Sequence, residues 1–299
     1  MARFYGADCE DRVQGCEMMI VVTAAAGRTG RAVVRALAAR GVAARALVRR
    51  PEQVAQLRTD GAAEVVVGDL RDRGALRRAV HGAGGAYYIC PEMNPDEEEI
   101  GGGLIRAMRE AGAWRLVYHS VLHPQADDLP HHLMKLHTER LIVDSGLAYT
   151  ILQPAPYMQN LAPHRYDVAT HGVYRVPYSV LAPFSWIDLR DVAQVAAGVL
   201  AEPGHDAATY ELAGPEPLSS AQVAERWAAA LGRPVRAETM RREAWVASLD
   251  RSGVGGFALE ARAAMTRYYD RHGMVGNPNA LRWLLPRQPR TVTEYLADV

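Results

Sequence analysis

The feature that most narrows the fold is a strict alternation through the first half of the chain. Short β-branched runs and amphipathic stretches follow one another as MIVVTA, GRTGRAVVRALAARG, ARALVR, PEQVAQLRTDG, AEVVVGDL and RDRGALRRAVHG. The pattern continues through GAYYICP, EEEIGGGLIRAMREAG, RLVYHSV, HHLMKLHTERLIVDSG and AYTILQP. Strands joined through helices must run parallel, so the alternation predicts an α/β fold, a doubly wound parallel sheet of the Rossmann-like kind with helices on both faces. Runs such as IVV, EVVV and YYI are uninterruptedly apolar, as strands covered on both faces must be. After Pro154 the rhythm breaks into short strands and helices such as DLRDVAQVAAGVLAEPG, LSSAQVAERWAAALG and EARAAMTRYYDRHG. The expected organisation is a loosely ordered extension over 1–17, a Rossmann-like domain over 18–154, and a smaller α+β, covering region over 155–299.

Composition removes several classes of function. The 34 basic and 34 acidic residues cancel, so no global field draws the chain to nucleic acid or to an anionic membrane. No apolar run approaches the roughly 20 residues of a membrane span, and MARFYGADCEDRVQGCE lacks the apolar core of a signal peptide. Cys9, Cys16 and Cys90 form neither an even framework nor a CxxC pair and read as free thiols in a reducing compartment, so the expected location is cytoplasmic. His119, His123, His131, His132 and His137 match no compact ligand spacing, and no metal is expected.

Ligands of an open parallel sheet bind beyond the carboxyl ends of its strands. Those ends are Ala24, Arg49, Asp69, Cys90, Ser120 and Pro154. The first carries the glycine turn TAAAGRTG, Thr23 to Gly30, between an apolar strand and a helix. Gly27 there lets the backbone approach a pyrophosphate, Gly30 lets the helix pack close to the strand, and the amides at Arg28 and Thr29 open the helix N-terminus toward the anion. Ala24 stands where a further glycine is expected. The second strand ends in Arg49 and Arg50, where an NAD site places an acid, and arginine suits the 2'-phosphate of NADP. Arg28 has the same phosphate within reach. Residues 28–50 hold seven arginines and no acid, of which Arg31, Arg35, Arg40 and Arg45 read as solvated surface. Asp69 either holds the adenosine or caps the next helix. Thr23, Cys90, His119 and Pro154, at or beside strand ends, complete the expected cofactor contacts.

Lys135 is the single lysine of the chain. Its compact ammonium fits a narrow site where guanidinium does not, while a coding bias toward arginine would leave one lysine by chance. Lys135 can hold a cofactor ribose or stabilise a developing enolate or alkoxide. His131 lies one turn earlier on the same helix face. It either acts as a general acid near neutral pH or sits in water at the helix start. Tyr88, Tyr157 and Met158 lie near strand ends and suit a flat, partly oxygenated substrate, with Trp186, Met265, Tyr268 and Tyr269 either in an outer wall or in the core. Glu97 to Glu99 favour a helix N-terminus through its dipole.

TAAAGRTG, LVRR, GDL, Ser120, Lys135, YTILQP with PYMQN, and WIDLRDVA, followed by TYELAGPEPLSSAQVAERWAAALGRPV, together resemble the NmrA-like branch of the atypical short-chain dehydrogenases. The resemblance implies an NADP(H)-binding protein from a family holding both reductases and cofactor sensors. In the wider short-chain family a tyrosine four residues before the lysine donates the proton, working with an upstream serine. Ser120 and Lys135 match that pattern, whereas His131 stands at the tyrosine position. The leading expectation is an NADPH-dependent reductase acting on a carbonyl or activated double bond of a small aromatic, quinone-like or polyketide-like molecule, with Lys135, Ser120 and His131 as catalytic residues. A redox sensor that binds NADP(H) and a protein partner, and a non-redox isomerase or cyclase, stand as alternatives.

Overall fold

The computed structural model describes residues 18–298, so the expected extension over 1–17, with Cys9 and Cys16, lies outside the described residues. The alternation read from the sequence becomes β1 (Ile20–Val22), α1 (Arg28–Ala39), β2 (Ala44–Val48), α2 (Val54–Thr59), β3 (Glu64–Val67), α3 (Arg73–Val80), β4 (Gly85–Tyr88), α4 (Glu97–Ala111), β5 (Arg115–His119), α5 (Pro130–Val143) and β6 (Ala148–Pro154). With β9 (Ala208–Leu212) they build a seven-stranded sheet in the order β3-β2-β1-β4-β5-β6-β9. Every neighbouring pair is parallel, with Ile20 registered against both Ala44 and Gly85. This is the doubly wound, Rossmann-like α/β fold. The strand order reverses between β1 and β4, which opens a crevice at their carboxyl ends.

Two cores cover the sheet. One takes Val33, Val34 and Leu37 of α1 together with Val195 and Val199 of α7 (Leu189–Ala201), and α1 packs on α7. The other takes Leu76 of α3, Leu104 and Met108 of α4 and Ile142 of α5. Residues beyond Pro154 therefore return to the sheet, since β9 extends it and α7 covers it. The break at 154 divides the rhythm of the sequence and not the packed layers: the first core runs from Ile20 to Leu296.

The rest of the second half is α6 (Arg165–His171), β7 (Val173–Val176), β8 (Pro183–Ser185), β10 (Pro217–Ser219), α8 (Ser220–Leu231), β11 (Arg236–Thr239), α9 (Arg242–Arg251), α10 (Gly256–His272), α11 (Asn279–Leu284) and α12 (Val292–Ala297). β7 pairs with β11 in parallel, β8 with β10 antiparallel, and α10 packs against α5. Two of these helices, α8 and α12, are capped at their N-termini by local side chains. The Ser219 hydroxyl accepts from the Gln222 amide at 3.3 Å while the Gln222 side chain accepts from the Ser219 amide at 2.9 Å, a reciprocal box that closes the start of α8. Among the described residues no helix is long and apolar enough to cross a membrane.

The β1–α1 turn is closely packed. A Cβ on Gly30 would stand 2.6 Å from Ala25 Cα and 2.8 Å from Ala24 O, so only glycine lets α1 approach the strand. Ala24 sits at φ +45°, in the left-handed region, at the place where the motif expects glycine. An L-residue there costs about 1–2 kcal/mol. Gly30→Ala should accordingly destabilise the protein by about 2 kcal/mol, and Ala24→Gly should stabilise it by about 0.5 kcal/mol after the added freedom of the unfolded chain is subtracted. Urea unfolding of the two variants checks both signs.

Candidate active site

A trough runs along the carboxyl edge of the sheet. At one end a cavity of about 350 Å³ is lined by Leu47, Arg49, Gln53, Asp69, Arg71 and Asn94. At the other a cavity of about 360 Å³ is lined by Thr29, Cys90, His119, Lys135, Tyr157 and Met274, among others. Ala24, Gly27 and Pro91 line both. The N-terminus of α1 opens at this shared point. Its N-cap is Gly27, no side chain caps it, and no acid stands in its first turn. The free amides and the positive end of the helix dipole are therefore available to an anion.

The arginines of the first βαβ unit separate into paired and unpaired. Arg31 and Arg35 hold Asp60 at 2.6 and 2.8 Å, Arg40 holds Glu202 at 2.6 Å, and Arg45 holds Glu64 at 2.6 Å. Two guanidiniums keep the Asp60 carboxyl well below the usual carboxylate range, at about 2. Arg28 departs from its expected place. It donates to Gln159 O at 3.2 Å and to Asn160 Oδ1 at 3.1 Å and lines the second cavity, away from the adenosine end. Arg49 is exposed, lines the first cavity and has no ion-pair partner among the described residues. Beside it Asp69 lines the same cavity, its carboxylate accepting from the Arg71 amide at 2.8 Å.

The inner wall of the second cavity rests on buried charge. Lys135 Nζ donates to Glu97 Oε1 at 2.8 Å and to His119 O at 3.3 Å. The same Glu97 oxygen accepts from the Tyr118 hydroxyl at 2.6 Å. Glu97 belongs with Ile100, Gly101, Leu104 and Met108 on the inward face of α4 and is 2% exposed, whereas Glu98 and Glu99 are exposed. Attraction to the helix dipole thus accounts for two of the three carboxylates only. The 3-4 spacing of that apolar stripe was the available signal for the third. Ser120 lines the cavity, yet its hydroxyl donates to Glu139, which also accepts from Gln153 Nε2 at 2.9 Å. Burial pushes the Glu139 carboxyl above its ordinary range. Ser120 is committed to this inner network and offers no free hydroxyl to a ligand.

His119 is the centre of a second chain of polar groups. Its Nδ1 meets the Tyr87 hydroxyl at 2.6 Å and its Nε2 meets the Tyr157 hydroxyl. Burial, aided by the Lys135 charge, pushes His119 down to about 3. His131 and Lys135 do share a helix face and line one cavity. His131, however, is 9% exposed, and burial pushes it down to about 2, with His132 and Lys135 adding to the effect. Burial thus opposes a charge on the ring at neutral pH, against the general-acid reading, and the ring faces the cavity wall instead of standing in open solvent at the helix start. His132 packs edge-to-face on His131, bonds His123 O through Nδ1 at 3.0 Å, and is pushed down to about 4, chiefly by burial.

Ala24, Gly27, Arg28, Thr29, Gly30, Cys90, His119, Ser120, His131, Lys135, Pro154 and Tyr157 come together on the second cavity, and Arg49 and Asp69 on the first. Four expected contacts lie elsewhere. Thr23 is fully buried, its hydroxyl donating to Ile89 O at 2.7 Å and accepting from the Ile89 amide at 2.8 Å, a clamp between the ends of β1 and β4. Tyr88 stacks on Tyr118 at 5.2 Å and donates to Glu97 O at 3.0 Å in the opposite core, because successive strand residues face opposite ways. Tyr87 is the member of that pair on the site's side of the sheet. Met158 is fully buried in the first core, and Trp186 packs on Phe184 with Nε1 donating to Leu218 O at 3.3 Å. Of the outer-wall candidates Met265 and Tyr269 line the cavity, and both come from α10. The Cys90 thiol, raised to about 12 chiefly by burial, stays protonated.

Two measurements test this electrostatic picture. His119, His131 and His132 titrate below their unfolded value of about 6.5, so between about pH 6.5 and 4 the unfolded chain binds up to three more protons than the folded one. Stability should fall as pH drops through that window, by about 1.4 kcal/mol per pH unit for each histidine. Urea midpoints against pH should show this slope, reduced by about one third in His131→Asn. Lys135→Met should cost about 3 kcal/mol because it strands the buried Glu97 carboxylate, and Glu97→Gln in the same chain should recover part of the loss. A coupling energy near zero in that double-mutant cycle would contradict the pairing.

The chain is 34% identical over 220 residues to the NAD(P)H azoreductase of Xenophilus azovorans, covering 73% of this chain and 76% of that one. It is 27% identical to quinone oxidoreductase 2 of Escherichia coli, over 94% of this chain and 98% of that protein. Among solved structures, the Escherichia coli NADPH-dependent quinone oxidoreductase complexed with NADPH superimposes with a TM-score of 0.82 at 25% identity, over 94% of this chain and 99% of that one. The model of the NmrA-like family matches residues 17–296, and the chain belongs to that family.

Proposed function

We propose that this chain is an NADPH-dependent oxidoreductase of the atypical short-chain dehydrogenase type, reducing a carbonyl or activated double bond of a small aromatic or quinone-like molecule. The observation that carries the reading is the continuity of the trough, from an unpaired Arg49 past an uncapped helix N-terminus to an aromatic and sulfur-lined cavity. NADP(H) fits this donor set. The amides opening α1 suit the pyrophosphate, Arg49 suits the 2'-phosphate, and Asp69 and Gln53, which line the first cavity, would border the adenosine. When bound, the cofactor supplies a hydride. The azoreductase and quinone oxidoreductase relatives support the reductase class.

The residues around the second cavity fit a flat apolar acceptor. Leu122, Met93, Met265, Tyr269 and Met274 provide apolar and polarisable surface. Lys135, neutralised by Glu97 and tied to His119 O, holds β5 and α5 in register and presents a fixed ammonium to the cavity. α10, packed against α5, covers the cavity and helps to exclude water.

Calorimetric titration of nucleotide-free protein with NADPH, NADP+, NADH and NAD+ tests the reading. NADPH should bind more tightly than NADH. Arg49→Ala should weaken NADPH by about 10–100-fold, the value of one charge-assisted phosphate contact, and leave NADH nearly unaffected. Equal losses for both nucleotides would remove Arg49 from the phosphate site.

A further inference from the structure

The helix that carries Lys135 lacks the tyrosine of the wider short-chain family, and its replacement, His131, is neutral and buried. A different hydroxyl is held at the cavity by a chain with a defined direction. Tyr87 is fully buried, and among the described residues its hydroxyl has one polar partner, His119 Nδ1 at 2.6 Å. If Tyr87 accepted from that nitrogen, its own proton would be buried without an acceptor, at a cost of about 1–3 kcal/mol. Tyr87 therefore donates to Nδ1. The imidazole is neutral, so its one proton resides on Nε2 and is donated to the Tyr157 oxygen. The Tyr157 proton is thereby excluded from the His119 bond. It is left to an acceptor entering the cavity that Tyr157 lines together with Thr29.

We propose that Tyr157 is the proton donor of this site and that His119, fixed as its Nε2–H tautomer by Tyr87, is a positioning residue that aims the phenol and stabilises the phenolate. The role rests on the reductase reading above. In reduction of a quinone or carbonyl, the acceptor takes up the electron pair of a hydride from NADPH, and the displaced π pair collects on oxygen. The Tyr157 O–H bond breaks, its electron pair stays on the phenolate oxygen, and its proton forms the new O–H bond of the product. The phenolate accepts the Nε2–H bond of His119 until water returns a proton to it. Burial, the largest influence on Tyr157, raises its pKa above the ordinary phenol value, which keeps the hydroxyl protonated until charge develops on the acceptor.

Two acceptors separate proton donation from everything else the site does. A quinone needs a hydride and a proton, whereas a triarylmethyl cation is neutralised by a hydride alone. In the NADPH-loaded protein, Tyr157→Phe should lower the ratio of quinone to triarylmethyl turnover by about 100-fold or more, within the usual range for a positioned acid. An unchanged ratio overturns the role of Tyr157 and leaves the reductase reading standing. Absence of turnover by wild-type protein with these and a wider panel of acceptors overturns the reductase reading and this role with it. A second readout needs no cofactor. In ligand-free protein labelled with 15N-histidine, with His119→Asn used for assignment, the His119 signals should be those of a neutral ring protonated at Nε2, and Tyr87→Phe should shift them toward the Nδ1–H form. A wild-type His119 protonated at Nδ1 overturns the positioning role.

Discussion

The parallel sheet is the constraint on which the remainder of the molecule depends. Seven parallel strands expose backbone and apolar side chains on both faces, so both must be covered, and the helices that cover them have to return the chain to the same end each time. All strands then finish at one edge. Where the order reverses between β1 and β4, no helix closes that edge, and the trough follows. The close approach of α1 to β1 at Gly30 directs the uncapped end of the helix into the middle of this trough.

Beneath the trough the protein buries charge instead of avoiding it. Glu97, Lys135, Tyr118, Ser120, Glu139 and Gln153 form two adjoining networks at the ends of β5 and β6. Removing such groups from water is costly, and only mutual hydrogen bonding offsets the desolvation. The arrangement is therefore intolerant of single deletions and rigid. That rigidity gives His119, on the cavity side of the same strand, one orientation between Tyr87 and Tyr157.

How much of this was legible depended on whether the information was local. The βαβ alternation, the phosphate turn and the surface position of Arg35 and Arg40 were readable because period, turn chemistry and charge density are properties of short segments, whereas Arg45, expected in solvent, is largely covered where it bonds Glu64, Ala79 O and His81 O. Tyr157 and Cys90 came to the cavity because strand ends of a parallel sheet must, and Lys135 because it lies near the start of α5, the helix that leaves the same edge after β5. Tyr88 failed by one residue: the strand period is two, and a fully apolar strand carries no mark of which face will meet the site. Ser120 and His131 occupy the family's positions, but the partner of Ser120 is decided by Glu139 on the next helix, and α10, from the far end of the chain, packs against the helix that carries His131.

The sequence by itself determined the sheet class, the place of the phosphate turn and the absence of an acid after β2, since each is written in contiguous residues. Only the tertiary structure decided the protonation states and partners: which of three consecutive glutamates pairs with Lys135, that Arg49 has no ion-pair partner among the described residues while Arg31 and Arg35 do, and which way the bonds run from Tyr87 through His119 to Tyr157. Those properties arise from desolvation and from hydrogen bonds between groups 21 to 38 residues apart, and neither is visible until the strands and helices stand side by side.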